Sequence, residues 1–160
     1  MKKYQPWIGL IFRLVLGGVL LVAGLLKYQH LDKSQMAVRA YELLPIALAN
    51  FLGIVLPYLE IAVGILLIIG AAVRVSAVIS GLLMFAFSIG IAQAWARGLS
   101  IDCGCFGDGG AVDPSETKYL QSILRDIGFA LLGFYLIRYP VTKFALEKNK
   151  SLQQKPTPGE

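Results

Sequence analysis

The sequence predicts an all-α membrane protein, a four-transmembrane-helix bundle with a short interfacial helix after the first span. Three observations lead there. Of 160 residues, 56% are hydrophobic and 16% charged, well below the roughly 25% charged of soluble domains. The apolar residues also come in long blocks, and four of these reach the roughly 20 residues that a helix needs to cross a bilayer core. Finally, most basic residues lie between or beyond the blocks, as expected of chains that sort their loops by charge.

The first span covers Trp7 to Leu26. It follows "MKK", which resembles a signal-peptide start, but Arg13 interrupts the apolar run and no small-x-small cleavage motif precedes a soluble domain, so the helix is read as retained. "DKSQMAVRAYELL" then places Asp32 and Gln35 at capping-box spacing and Met36, Ala40, Leu43 and Leu44 on one helical face. This predicts a short helix on the outer surface that partly covers the bundle. The second span, Ala47 to Gly70, contains Pro57, which a membrane helix accommodates when neighbours shield the carbonyl it frees. The third runs from Val75 to Ala96. The fourth, Tyr119 to Tyr139, is preceded by "DPSE", whose Asp113 and Pro114 suit a helix start. Small residues recur within the spans, and the spacing of Ala86, Gly90 and Ala94 suits close helix approach. Residues 140–160 form a basic tail.

Orientation follows from the charges. Lys2, Lys3, Arg74, Arg138, Lys143, Lys148, Lys150 and Lys155 fall on the side of the N-terminus, against Lys27, Lys33, Arg39, Arg97 and Lys118 on the other. The bias predicts cytoplasmic termini in the cell membrane and an extracytoplasmic loop over residues 97–118. The same rule accounts for the net charge of +5 without nucleic acid. No phosphate loop, zinc spacing or Ser/His/Asp constellation is present. The single His30 reads as an interfacial polar residue, and no metal is expected.

Both cysteines, Cys103 and Cys105, lie in "SIDCGCFGDGG" of the outward loop. A disulfide closing so short a ring constrains the unfolded chain little and so contributes little stability. It would be strained, and strained exposed disulfides are the oxidising, exchangeable ones. Gly104 eases such a ring by accepting unusual backbone angles. Redox exchange is therefore the preferred reading, with a dimer-linking cysteine or a partner-delivered metal as alternatives. With only two cysteines in the chain, no second pair can relay electrons. They must leave to another protein or to a membrane-dissolved acceptor such as quinone.

Arg13, Glu60, Arg125 and Asp126 fall inside predicted spans, where a charge costs several kcal/mol unless paired or hydrated. The expected arrangement pairs Glu60 with Arg13 or Arg125 and leaves Asp126 to balance the other arginine. Lys27 closes the first span at the outer face and can snorkel. These polar residues either fix helix register or form a pocket that binds a quinone head group or moves its protons.

"FRLVLGGVLLVAGLLK", "LPYLEIAVGILLIIGAAVR", "DCGCFGDGG" and "LRDIGFALL" together resemble the MauE (methylamine utilisation) family of DoxX-like membrane proteins, over nearly the whole chain to about Tyr139. Cys-Gly-Cys-Phe-Gly is the most specific part. The resemblance implies a four-helix membrane bundle working with an extracytoplasmic thioredoxin-like partner in disulfide formation or maturation of secreted redox proteins. It implies Cys103 and Cys105 as the redox pair, and Arg13, Lys27, Glu60, Arg125 and Asp126 as the family's polar positions. The sequence is thus read as a thiol–disulfide oxidoreductase linked to quinone. A non-catalytic scaffold for a maturation partner and a small-molecule transporter are the competing classes.

Overall fold

The computed structural model describes residues 4–102, 104, 110–113, 115, 117–140, 142, 145 and 146. Five helices, α1 (Gln5–Gln29), α2 (Leu31–Ala40), α3 (Ile46–Ile69), α4 (Val73–Ala96) and α5 (Tyr119–Arg138), are joined by one small hairpin between α4 and α5. All but α2 are long and apolar enough to span a membrane, with 20 to 25 residues each. At 1.5 Å per residue that is about 30 to 37 Å, matching a hydrocarbon core of about 30 Å. The protein is a four-span helical membrane bundle.

The helices divide into two tightly packed pairs, α1 with α3 and α4 with α5, while α2 lies along α3. Each helix turns one stripe inward. On α1 the buried stripe runs Gly9, Arg13, Leu16, Leu20, Ala23, Lys27, alternating steps of four and three as in left-handed bundles. Leu16, Leu20, Val63, Leu67, Ala77 and Leu136 form the apolar centre. Outward-facing positions carry leucine, isoleucine, valine and phenylalanine, the inverse of a soluble surface and the pattern lipid requires. Exposed aromatic residues stand at both ends, Tyr4, Trp7 and Tyr139 at one and Tyr28 and Trp95 at the other, as in the aromatic belts of membrane interfaces.

Glycine sets the α1–α3 distance. A Cβ on Gly64 would lie 2.8 Å from the Leu21 nitrogen and 2.9 Å from the Gly17 carbonyl, and one on Gly24 would lie 2.8 Å from the Pro57 carbonyl. Backbones this close gain dispersion contact, the attraction available to helices in lipid. The Ala86, Gly90, Ala94 triplet does not work this way. Ala86 is exposed, and Gly90 receives the Tyr41 ring, 3.3 Å from its would-be Cβ.

The short helix differs from expectation. It starts at Leu31 with no side-chain cap, so Asp32 and Gln35 form no capping box, and it buries Ser34 and Ala37 rather than the Met36 face. Met36, Leu43 and Leu44 are exposed. The reason lies in α3. Pro57 has no N–H to donate to the carbonyl four residues earlier, which is that of Gly53. Ser34 Oγ donates to this carbonyl at 2.7 Å, and Gly53 lacks the Cβ that would lie 2.9 Å from the Gln35 nitrogen. The polar repair decides which face of α2 turns inward. Similarly, α5 begins at Tyr119 with Lys118 at its N-cap, not at Asp113, and Pro114 and Glu116 lie outside the described residues.

Ser34→Ala should destabilise the bundle by about 1–3 kcal/mol, the cost of a buried unpaired carbonyl. Pro57→Ala restores the helical donor, so the same serine change in that background should cost distinctly less. Unfolding of the four proteins in detergent yields the coupling; additive effects would contradict the repair.

Candidate functional site

Two features bear on function: a buried charge cluster between the helices and the segment that carries the cysteines. Lys27, on the inward stripe of α1, donates from Nζ to Glu60 Oε1 of α3 at 2.6 Å. Both are deeply buried, with 4% and 1% of their surface exposed. The Lys27 ammonium also lies 5.0 Å from the centre of the Phe87 ring, close enough for a cation–π contact. On α5, Arg125 donates to Asp126 Oδ1 from Nη2 at 3.2 Å and from Nε at 3.3 Å. Asp126 is 2% exposed. Two cations and two carboxylates thus balance within one site.

This arrangement corrects the sequence expectation twice. Glu60 pairs with neither Arg13 nor Arg125, and Lys27 does not snorkel. Lys27 sits on the same three-four stripe as Arg13, Leu16 and Leu20, so its side chain points at α3 rather than along the surface. Arg13 is elsewhere. Its Nη1 donates to Thr142 Oγ1 at 2.8 Å, and its guanidinium abuts Gly70, which ends α3 in the left-handed conformation at φ 72°. A cation beside the carbonyl end of a helix is favourably placed. Arg13 is therefore an anchor for the bundle end, outside the cluster.

Lys27, Glu60, Arg125 and Asp126 line one cavity with Val19, Leu20, Ala23, Met84, Phe87 and Phe129, so all four spanning helices contribute. Glu60 Oε2 and Asp126 Oδ2 are buried, and neither takes a hydrogen bond from the described residues. The cavity's volume is about 20 Å³, against the roughly 10–15 Å³ that one water needs. The cationic donors Lys27 and Arg125 suit a carbonyl oxygen. Of the polar residues named from sequence, Lys27, Glu60, Arg125 and Asp126 line this cavity and Arg13 does not. Among the described residues no group of three or more His, Cys, Asp and Glu could hold a metal.

The second feature begins where α4 ends. Strand β1 (Ile101–Asp102) pairs antiparallel with β2 (Gly110–Ala111), Ile101 opposite Ala111 and Asp102 opposite Gly110. Val112 N donates to Ser100 O at 2.9 Å and extends the ladder. This pairing closes the base of the segment 103–109, which holds both cysteines. Cys103, Cys105 and Asp108 themselves lie outside the described residues. Gly104, between the cysteines, is described: it is buried, its φ is 65°, and its N–H donates to Asp102 Oδ1 at 3.2 Å. A side chain at this φ would be strained, so the glycine has a backbone reason to be there.

Tyr119 ties this segment to the bundle. Its hydroxyl accepts from Ile101 N at 2.9 Å and donates to the Leu99 carbonyl. Its ring stacks on Trp95 with centroids 6.2 Å apart. On the other flank the Tyr41 carbonyl accepts from Gln93 Nε2 at 3.1 Å and Arg97 Nη1 at 3.3 Å, while Arg97 pairs with Glu42 at 2.8 Å. Asp126 follows Tyr119 by seven residues, or about 10 Å along α5. Sequence reading missed Tyr119, and no local motif marks it, since its partners precede it by 18 and 20 residues.

The family model of methylamine utilisation protein MauE matches residues 5–139, the whole of the bundle. The chain belongs to the MauE family. Two curated relatives, each named methylamine utilization protein MauE, share this membership. The one from Paracoccus denitrificans is 31% identical over 106 residues, covering 66% of this chain and 57% of the relative. The one from Methylorubrum extorquens is 35% identical over 135 residues, covering 82% of this chain and 69% of the relative. The chain therefore spans a little over half of the first relative's length and about two thirds of the second's. No solved structure matches. The MauE match includes Lys27, Glu60, Arg125 and Asp126 as well as the cysteine segment.

The ion pair makes a distinct prediction. Lys27→Met leaves Glu60 buried and unpaired and should cost about 3–5 kcal/mol, whereas Lys27→Met with Glu60→Leu should recover most of it. Detergent unfolding compares the two; equal losses would mean that the residues do not form a buried pair.

Proposed function

We propose that this MauE-family protein is a membrane-embedded thiol–disulfide redox protein. Its Cys103–Gly104–Cys105 element faces the extracytoplasmic side of the cell membrane, with both termini cytoplasmic. It exchanges with a thioredoxin-like partner and, through it, supports disulfide formation or maturation of secreted redox proteins, those of methylamine utilisation among them. One observation carries the reading: the chain's two cysteines flank a left-handed glycine on a segment whose base is closed by a hairpin. A loop built to stabilise would span a longer closure. This one holds a short pair at the end of the bundle on a clamped base.

In exchange, a thiolate of the reduced partner attacks one sulfur of the Cys103–Cys105 disulfide. That S–S bond breaks, a mixed disulfide forms, and the partner's second thiolate displaces it. The partner leaves oxidised, and Cys103 and Cys105 remain as a dithiol. Reoxidation releases two electrons and two protons. The chain holds no further cysteine to receive them, so the acceptor lies outside it, and a membrane quinone is the proposed one.

Thiol trapping in intact cells with a membrane-impermeant reagent tests this. Cys103 and Cys105 should label only after a pulse of reductant and should reoxidise in a quinone-dependent way. The Cys103→Ser, Cys105→Ser protein should lose client maturation. Cysteines that stay reduced or unreachable from outside would contradict the proposal, and client maturation by the double variant would favour a scaffold.

A further inference from the structure

Glu60 and Asp126 come from different helices, α3 and α5, yet both line the same small cavity. Each satisfies one carboxylate oxygen with its own cation, Glu60 Oε1 with Lys27 and Asp126 Oδ1 with Arg125. The other oxygen of each, Glu60 Oε2 and Asp126 Oδ2, is buried and takes no hydrogen bond from the described residues. Two buried acceptors without donors cost free energy each, and more so when charged. A water molecule has two donors, and the cavity's volume of about 20 Å³ exceeds the roughly 10–15 Å³ that one requires. Lys27 has three ammonium donors, so it can also donate to the water oxygen. The site therefore offers the two to four polar partners that trapped waters need.

We infer that the cavity is a proton-transfer site in which a bound water bridges Glu60 Oε2 and Asp126 Oδ2. The hydrogen-bonded chain then runs Lys27, Glu60, water, Asp126, Arg125 and crosses the bundle from α1 through α3 to α5. When Asp126 carries a proton on Oδ2, that proton passes to the water oxygen as another water proton passes to Glu60 Oε2. Asp126 is left a carboxylate, Glu60 a carboxylic acid, and the water is regenerated. The charged groups that face the site are Lys27 from α1, Glu60 from α3, and Arg125 and Asp126 from α5; α4 contributes only Met84 and Phe87. The two cations keep the site neutral with both carboxylates ionised, so one added proton raises it by a single charge.

Infrared difference spectroscopy after a pH jump, on the full chain in lipid nanodiscs, tests the inference. The expected wild-type spectrum contains a carboxylic-acid carbonyl band that shifts in D2O and a water O–H band that shifts in 18O-labelled water. The water band should be lost in Glu60→Gln and in Asp126→Asn, and the carbonyl band should change in each, since only one of the two carboxyls is left to hold the proton. Ala23→Leu fills the cavity while keeping both carboxylates, and should lose the water band alone; it decides the matter if a carboxamide variant fails to fold. Absence of an 18O-sensitive band in the wild type, or its survival in Ala23→Leu, would overturn the inference. The Cys103→Ser, Cys105→Ser protein should keep both bands, so this result stands or falls apart from the redox proposal.

Discussion

In lipid, apolar side chains gain nothing by leaving their surroundings for one another, so the four spanning helices need another reason to assemble in one register. The contact between Lys27 and Glu60 supplies it. Neither charge is tolerable alone in hydrocarbon, and only one rotation and one depth of α1 against α3 bring Nζ to within 2.6 Å of Oε1. The glycines at 17, 24 and 64 permit the approach. Arg125 and Asp126 extend the same requirement to α5, because they border the cavity that Lys27 and Glu60 enclose. Pair formation thus sets the geometry that the rest of the bundle packs around.

The same logic of polar groups meeting across helices operates elsewhere. At one end Arg13 joins α1 to Thr142 and to the end of α3. Near the middle of α3, Pro57 opens a carbonyl and Ser34 closes it, which docks α2. At the cysteine end, the Tyr41 carbonyl and the Tyr119 hydroxyl bind the loops to α4 and α5. Helix α2 touches α3 and both hairpin strands, so the hairpin rests on an element that is itself fastened to α3 at Gly53.

Much of this was legible in sequence because lipid imposes a blunt rule. Blocks of apolar residues announced the spans, and Arg13, Glu60, Arg125 and Asp126 stood out as charges within them. What hydropathy does not reveal is rotation. Lys27 looked like a snorkelling residue because it lies near the end of its span, although the steps of four and three from Arg13 through Leu16, Leu20 and Ala23 end on it. Reading that stripe would have turned Lys27 inward. The face of α2 was misjudged for a different reason: its apolar residues suggested burial, but a single freed carbonyl at Gly53 outweighed them. Tyr119 was out of reach, since nothing local to it signals a bond to a loop 18 residues earlier.

The most direct test of the account is a solid-state NMR distance between Lys27 Nζ and the Glu60 side-chain carboxyl carbon, on the labelled full chain in lipid bilayers. Strong dipolar dephasing, corresponding to a direct contact, is predicted, together with a Lys27 ammonium that does not exchange freely with bulk water. An ammonium that exchanges rapidly and shows no coupling to Glu60 would mean that Lys27 reaches the interface, and the bundle would need another organising contact.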